Sequence, residues 1–100
     1  MKFLTTLLFC IVLSVNTQAQ DRVFTGLEVA QEQNVSMLKG KRVGLITNAT
    51  GVDFNLNSTV DILFKNKEVN LVALYGPEHG VRGDIPAGQK VDTYTDEQTG

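Results

Sequence analysis

Hydrophobic positions divide the chain into an apolar head and a mixed body. From Phe3 to Val15 almost every residue is apolar, with Lys2 before the run and the small residues Thr17 and Ala19 after it. A positive start, a core shorter than the ~20 residues that span a bilayer, and small residues at the spacing a signal peptidase reads define a secretory signal peptide. Residues 1–19 are read as that signal, with cleavage near Ala19 and a mature chain from about Gln20. A buried amino-terminal helix or a membrane anchor is the competing reading. No later run is long enough to span a bilayer.

In the body the pattern alternates between helical and strand periods. Thr25-Gly26-Leu27-Glu28 reads as a capping box, in which Thr25 and Glu28 exchange side-chain and backbone hydrogen bonds. Leu27, Ala30 and Leu38 fall on roughly one face of the helix this predicts, and Lys39-Gly40-Lys41 is expected to close it. Arg42 to Thr47 is a compact apolar run, hence a buried strand. A polar loop, Asn48 to Asn57, follows. Ser58-Thr59-Val60-Asp61 predicts a second cap, with Asp61 favoured in the first turn by the helix dipole. Val60, Leu63 and Phe64 give the stripe that packs on a sheet, and Lys65 and Lys67 suit the helix end. Val69 to Tyr75 is a second buried strand. Strand, helix, strand with short connections predicts a βαβ unit and therefore a parallel sheet.

The fold class is thus α/β, a Rossmann-like parallel sheet with flanking helices. Two strands cannot bury such a sheet on both faces, so further chain beyond residue 100 is expected to complete it. In open parallel sheets ligands bind beyond the carboxyl ends of the strands. The loops Asn48 to Asn57 and Gly76 to Lys90 fall at that edge.

Charge and cysteine content narrow the classes. Nine Lys and Arg against eleven Asp and Glu give a net charge of −2, spread along the chain, so no basic patch points to nucleic acid. Cys10 is the single cysteine and lies in the apolar head. Phe9 before it is too large for a lipoprotein signal. The mature chain therefore carries neither a disulfide framework nor a thiol nucleophile. Asn34-Val35-Ser36, Asn48-Ala49-Thr50 and Asn57-Ser58-Thr59 match the glycosylation triplet, but such short matches are read as caps and loop residues.

The chemistry is concentrated in Gly76-Pro77-Glu78-His79-Gly80-Val81-Arg82-Gly83-Asp84. Its glycines permit positive φ or a close ligand approach, and Pro77 stiffens the entry. Glu78 sits at the end of a strand, where a carboxylate can serve as general acid or base if partial burial raises its pKa. The plainer alternative is a structural Glu78–Arg82 ion pair with His79 hydrogen-bonded in a turn. His79 is the single histidine, and an adjacent Glu-His pair is not a metal-ligand spacing, so no metal site is expected. The glycine spacing fits neither the Walker nor the dinucleotide pattern, so no cofactor is expected.

Taken together, Lys41 to Asn48, Thr50-Gly51-Val52-Asp53, Ser58-Thr59-Val60-Asp61 and Gly76 to Gly83 resemble the exo-lytic β-N-acetylmuramidases, secreted peptidoglycan hexosaminidases of bacteria. The likeness covers nearly all of residues 20–100, in order and spacing. It implies a longer protein, in which a Rossmann-like catalytic domain is followed by a smaller domain with the active site in the cleft between them. It implies release of terminal N-acetylmuramic acid from the non-reducing ends of peptidoglycan fragments, in the periplasm or outside the cell. Glu78 takes the place of the family's catalytic glutamate. Many relatives carry a second glutamate in an Ala-Gly-Glu stretch, whereas Ala87-Gly88 is followed here by Gln89, which cannot act as acid or base.

The expected function is accordingly a glycoside hydrolase acting on muramyl sugars. Glu78 is the catalytic candidate, and Asn48, His79, Arg82 and Asp84 are candidates for substrate binding, with Asp84 also a second-rank carboxylate. Glycosidases generally pair two carboxylates. The partner of Glu78 is expected from further chain or from the substrate's own acetamido group. Two rivals use the same residues differently: a non-catalytic periplasmic binding module for cell-wall sugars, and a purely structural envelope protein.

Overall fold

The computed structural model describes residues 21–100. The predicted signal peptide, its cleavage site near Ala19 and Cys10 lie outside the described residues. Chain order is α1 (Gly26–Glu32), a 3-10 turn (Ser36–Leu38), β1 (Arg42–Ile46), α2 (Thr59–Lys65) and β2 (Asn70–Tyr75).

Helix α1 starts where the capping box places it. Thr25 Oγ1 accepts from the Glu28 amide at 3.3 Å, and Glu28 Oε2 accepts from the Thr25 amide at 2.8 Å. Arg22 adds an ion pair to Glu28 at 2.6 Å and lies over the rings of Phe24 and Phe54. The Thr25 amide, then Arg22, hold the Glu28 carboxyl below its usual pKa. The helix does not run on to Leu38 as the periodicity suggested. It stops at Glu32, because Asn34 and Val35 adopt left-handed backbone (φ 49° and 46°), and Leu38 belongs to the 3-10 turn. A β-branched residue is costly in that region. Val35 tolerates it while fully buried, its amide bonded to the Ala30 carbonyl at 2.7 Å.

β1 and β2 pair in parallel, Arg42 opposite Asn70 through Ile46 opposite Tyr75, with a register shift between Val43 and Gly44. The intervening α2 begins at Ser58, whose Oγ accepts from the amides of Val60 and Asp61. Val60 and Leu63 are buried, and the helix packs on β2. Phe64, expected on the same stripe, is 48% exposed. The strands are not buried runs. Their exposure alternates, and Ile46 is 82% exposed, because α2 covers one face of a two-stranded sheet and no second described helix covers the other. No helix among the described residues is long and apolar enough to cross a membrane. The architecture is the parallel strand–helix–strand unit of a Rossmann-like α/β fold, and it sends both long loops to one edge of the sheet.

Candidate functional site

The first loop leaves β1 with Thr47 still paired, its amide bonded to the Tyr75 carbonyl at 3.0 Å. The chain then turns on Asn48. Its carbonyl accepts from the Gly51 amide at 3.0 Å, and its side-chain oxygen accepts from Thr50 Oγ1 at 2.9 Å. Thr59, at the start of α2, ties this turn down by donating its amide and hydroxyl to the Gly51 carbonyl, each at 2.8 Å. Farther out, the buried Asp53 carboxylate accepts from the amides of Asn55 and Asn57 and from the Asn57 side chain, at 2.8–3.0 Å. The Asn57 side chain leads the contacts that lower its pKa. Asp53 is thereby consumed in shaping the loop.

The second loop folds back on its own origin. A Cβ on Gly76 would stand 2.7 Å from the Gly80 carbonyl carbon, so only glycine lets the chain return this closely. The Gly80 amide bonds to the Pro77 carbonyl at 2.7 Å. His79 and Ile85 then pair twice: Nδ1 of His79 meets the Ile85 carbonyl at 2.8 Å, and the Ile85 amide meets the His79 carbonyl at 3.3 Å. Glu78 is exposed, and its Oε1 accepts from the Gly88 amide at 3.2 Å. That bond brings Glu78 beside Gln89, the next residue along. Asp84 is also exposed, with Oδ1 3.5 Å from the point a Gly80 Cβ would occupy.

Arg82 has partners that local sequence did not suggest. Its Nε and Nη2 donate to the two oxygens of Asp96 at 3.0 and 2.9 Å, and Nη1 donates to Asp61 at 2.9 Å and to Ser58 Oγ at 3.5 Å. The alternative Glu78–Arg82 ion pair is therefore not formed; the guanidinium is engaged by two other carboxylates. Asp96 also accepts from the Thr99 amide and hydroxyl. Arg82, then Thr99, hold the Asp96 carboxyl at about 2, while Asp96 and then Asp61 drive the Arg82 pKa upward. The knot joins the second loop to the start of α2 and to the segment after residue 95. Next to it, Gly83 lies against the first loop, where a Cβ would stand 2.7 Å from that of Ala49.

Between the carboxyl ends of the two strands is a pocket of about 580 Å3, lined by Ile46, Thr47, Asn48, Tyr75, Gly76 and Pro77. Asn48 is in its wall, and Glu78 and His79 follow Pro77 in the chain. A second cleft, of about 520 Å3, runs along β2 beside Val91 to Asp96. Among the described residues no three His, Cys, Asp or Glu side chains are grouped as metal ligands would be. What the edge offers chemically is an accessible carboxylate, an accessible imidazole and amide groups on a braced scaffold.

Sequence and structure comparisons give one consistent neighbourhood. The family described as "Exo-beta-N-acetylmuramidase NamZ, N-terminal" matches residues 43–100. A peptidoglycan β-N-acetylmuramidase NamZ of Bacillus subtilis (strain 168) is 51% identical over 84 residues, covering 84% of this chain and 20% of that protein. The crystal structure of a DUF1343 family protein from Bacteroides fragilis NCTC 9343 superposes with a TM-score of 0.70 at 58% identity, over 82% of this chain and 20% of the other. The chain spans about a fifth of the length of both relatives.

Proposed function

The chain belongs to the exo-β-N-acetylmuramidase family, in that family's N-terminal part, and from this premise we propose that the full-length protein is a glycosidase releasing terminal N-acetylmuramic acid from peptidoglycan fragments. One observation within the chain supports the reading above others. Glu78 presents its carboxylate at the carboxyl edge of the parallel sheet, held through Oε1 by the Gly88 amide and free of Arg82. Such a group can exchange a proton with a glycosidic oxygen. Asn48 lines the neighbouring pocket as a substrate-binding residue, with His79 and Asp84 beside Glu78 on the second loop. Arg82 serves binding by bracing that loop.

The test is Glu78→Gln in the full-length protein, assayed on a chromogenic β-N-acetylmuramide. The substitution keeps size and removes the exchangeable proton. General acid–base catalysis contributes about 10²–10⁴-fold, so kcat should fall by that range with the melting temperature unchanged. Near-wild-type turnover by a folded variant would withdraw Glu78 from catalysis. Sugar binding without turnover by the wild type would favour the binding module, which the replacement of a second glutamate by Gln89 also suits.

Residues 1–19 are proposed to direct export, placing the activity in the periplasm or outside the cell. Amino-terminal sequencing of exported protein should begin at about Gln20; exported material retaining Met1 would contradict it.

A further inference from the structure

The hydrogen-bonding sense of His79 is fixed by its neighbour. Nδ1 lies 2.8 Å from the Ile85 carbonyl oxygen, which can only accept. In a neutral ring the proton must then sit on Nδ1, leaving Nε2 with a lone pair. The return bond from the Ile85 amide to the His79 carbonyl, at 3.3 Å, holds the backbone of the pair as well. The residue is exposed, and among the described residues its ring bonds through Nδ1, to the Ile85 carbonyl. We propose that His79 Nε2 is a specificity-determining acceptor that takes a hydroxyl of the sugar, with Ile85 setting the tautomer. The inference rests on the glycosidase reading of this loop and adds the chemical class of what the loop reads.

That class is neutral. An Nε2 lone pair accepts from an O–H and does not attract a carboxylate. Arg82, the guanidinium of the same loop, is already bonded to Asp61 and Asp96. The loop thus offers acceptors to the sugar ring, and the acidic substituent of a muramyl sugar must be met elsewhere. Orienting the ring by a partner that accepts only is the arrangement that rejects an analogue lacking the hydroxyl, because the acceptor is then left unpaired.

Two variants of the full-length protein separate this role from loop structure. His79→Asn places an amide N–H near the position of Nδ1 and can keep the Ile85 bond, but has nothing at Nε2. His79→Gln reaches the Nε2 position with a carbonyl oxygen but gives up the Ile85 bond. The proposal expects kcat/KM on the chromogenic muramide to fall about tenfold in His79→Asn, with its melting temperature held. It expects His79→Gln to be the more active and the less stable of the two. Nitrogen-15 NMR of the neutral ring should show Nδ1 protonated and Nε2 bare. A protonated Nε2, or His79→Asn at least as active as His79→Gln, would overturn the proposal. If the wild-type protein turns nothing over, the glycosidase reading fails separately, and the same order is read in Kd for N-acetylmuramic acid. Absence of both turnover and binding would overturn both.

Discussion

Arg82 and Asp96 share one hydrogen-bonded fork, and that fork has a pH signature. The Asp96 carboxyl is depressed from 3.8 to about 2, so the ionised form is favoured by the fold. A depressed carboxylate stabilises above its unfolded pKa, and that contribution is lost as pH falls through the folded value. Stability should therefore decline between about pH 4 and pH 2, by on the order of 2 kcal/mol from this group. Asp96→Asn in the full-length protein should flatten that part of the curve in acid titrations of the melting temperature. An unchanged acid limb would mean the fork is not held in solution. The partners of Arg82 lie 14 and 21 residues away, which is why a local reading could treat its charge as equally suited to a ligand. The Thr25–Glu28 box was legible because both members sit within one helical turn.

At the scale of the element, the start of α2 carries more than a cap. Ser58 Oγ accepts from the amides of Val60 and Asp61, Thr59 anchors the first loop, and Asp61 anchors the second through Arg82. Removing the cap with Ser58→Ala should cost about 1 kcal/mol, measured by urea denaturation of the full-length protein. Because the same turn holds Arg82, KM for the muramide should rise in parallel. An effect on stability with KM unmoved would show that the second loop is positioned without α2. Both strands, the second helix and their parallel pairing were readable from apolar period and caps. The end of α1 was not, since Leu38 fits the helical face and nothing local marks Val35 as left-handed. Strand burial was overread for a different reason: an apolar run states what a strand would bury, and the cover has to come from other chain.

For the whole molecule, that uncovered surface decides autonomy. Val60 and Leu63 of α2 are buried against the sheet, yet Ile46, Leu56, Phe54 and Tyr75 are 58–82% exposed. Parallel sheets are stable when both faces are covered. Residues 20–100 expressed alone should lack a cooperative thermal transition and show poor amide dispersion. A sharp transition from that fragment would mean the sheet needs less cover than its exposure indicates. The contact between Gly83 and Ala49 has a separate consequence, for how such a site can diverge. Position 83 is closed to other residues twice over, by a φ of +74° and by the neighbouring methyl. Shrinking position 49 would remove the second obstacle and leave the first, so Gly83 is held whatever stands at position 49. The outer arc from Phe54 to Leu56 is exposed, and the hydrogen bonds of Arg82 go to Ser58, Asp61 and Asp96 instead. Variation among descendants of this chain should therefore gather in that arc, while the loop that carries Glu78 and His79 stays fixed.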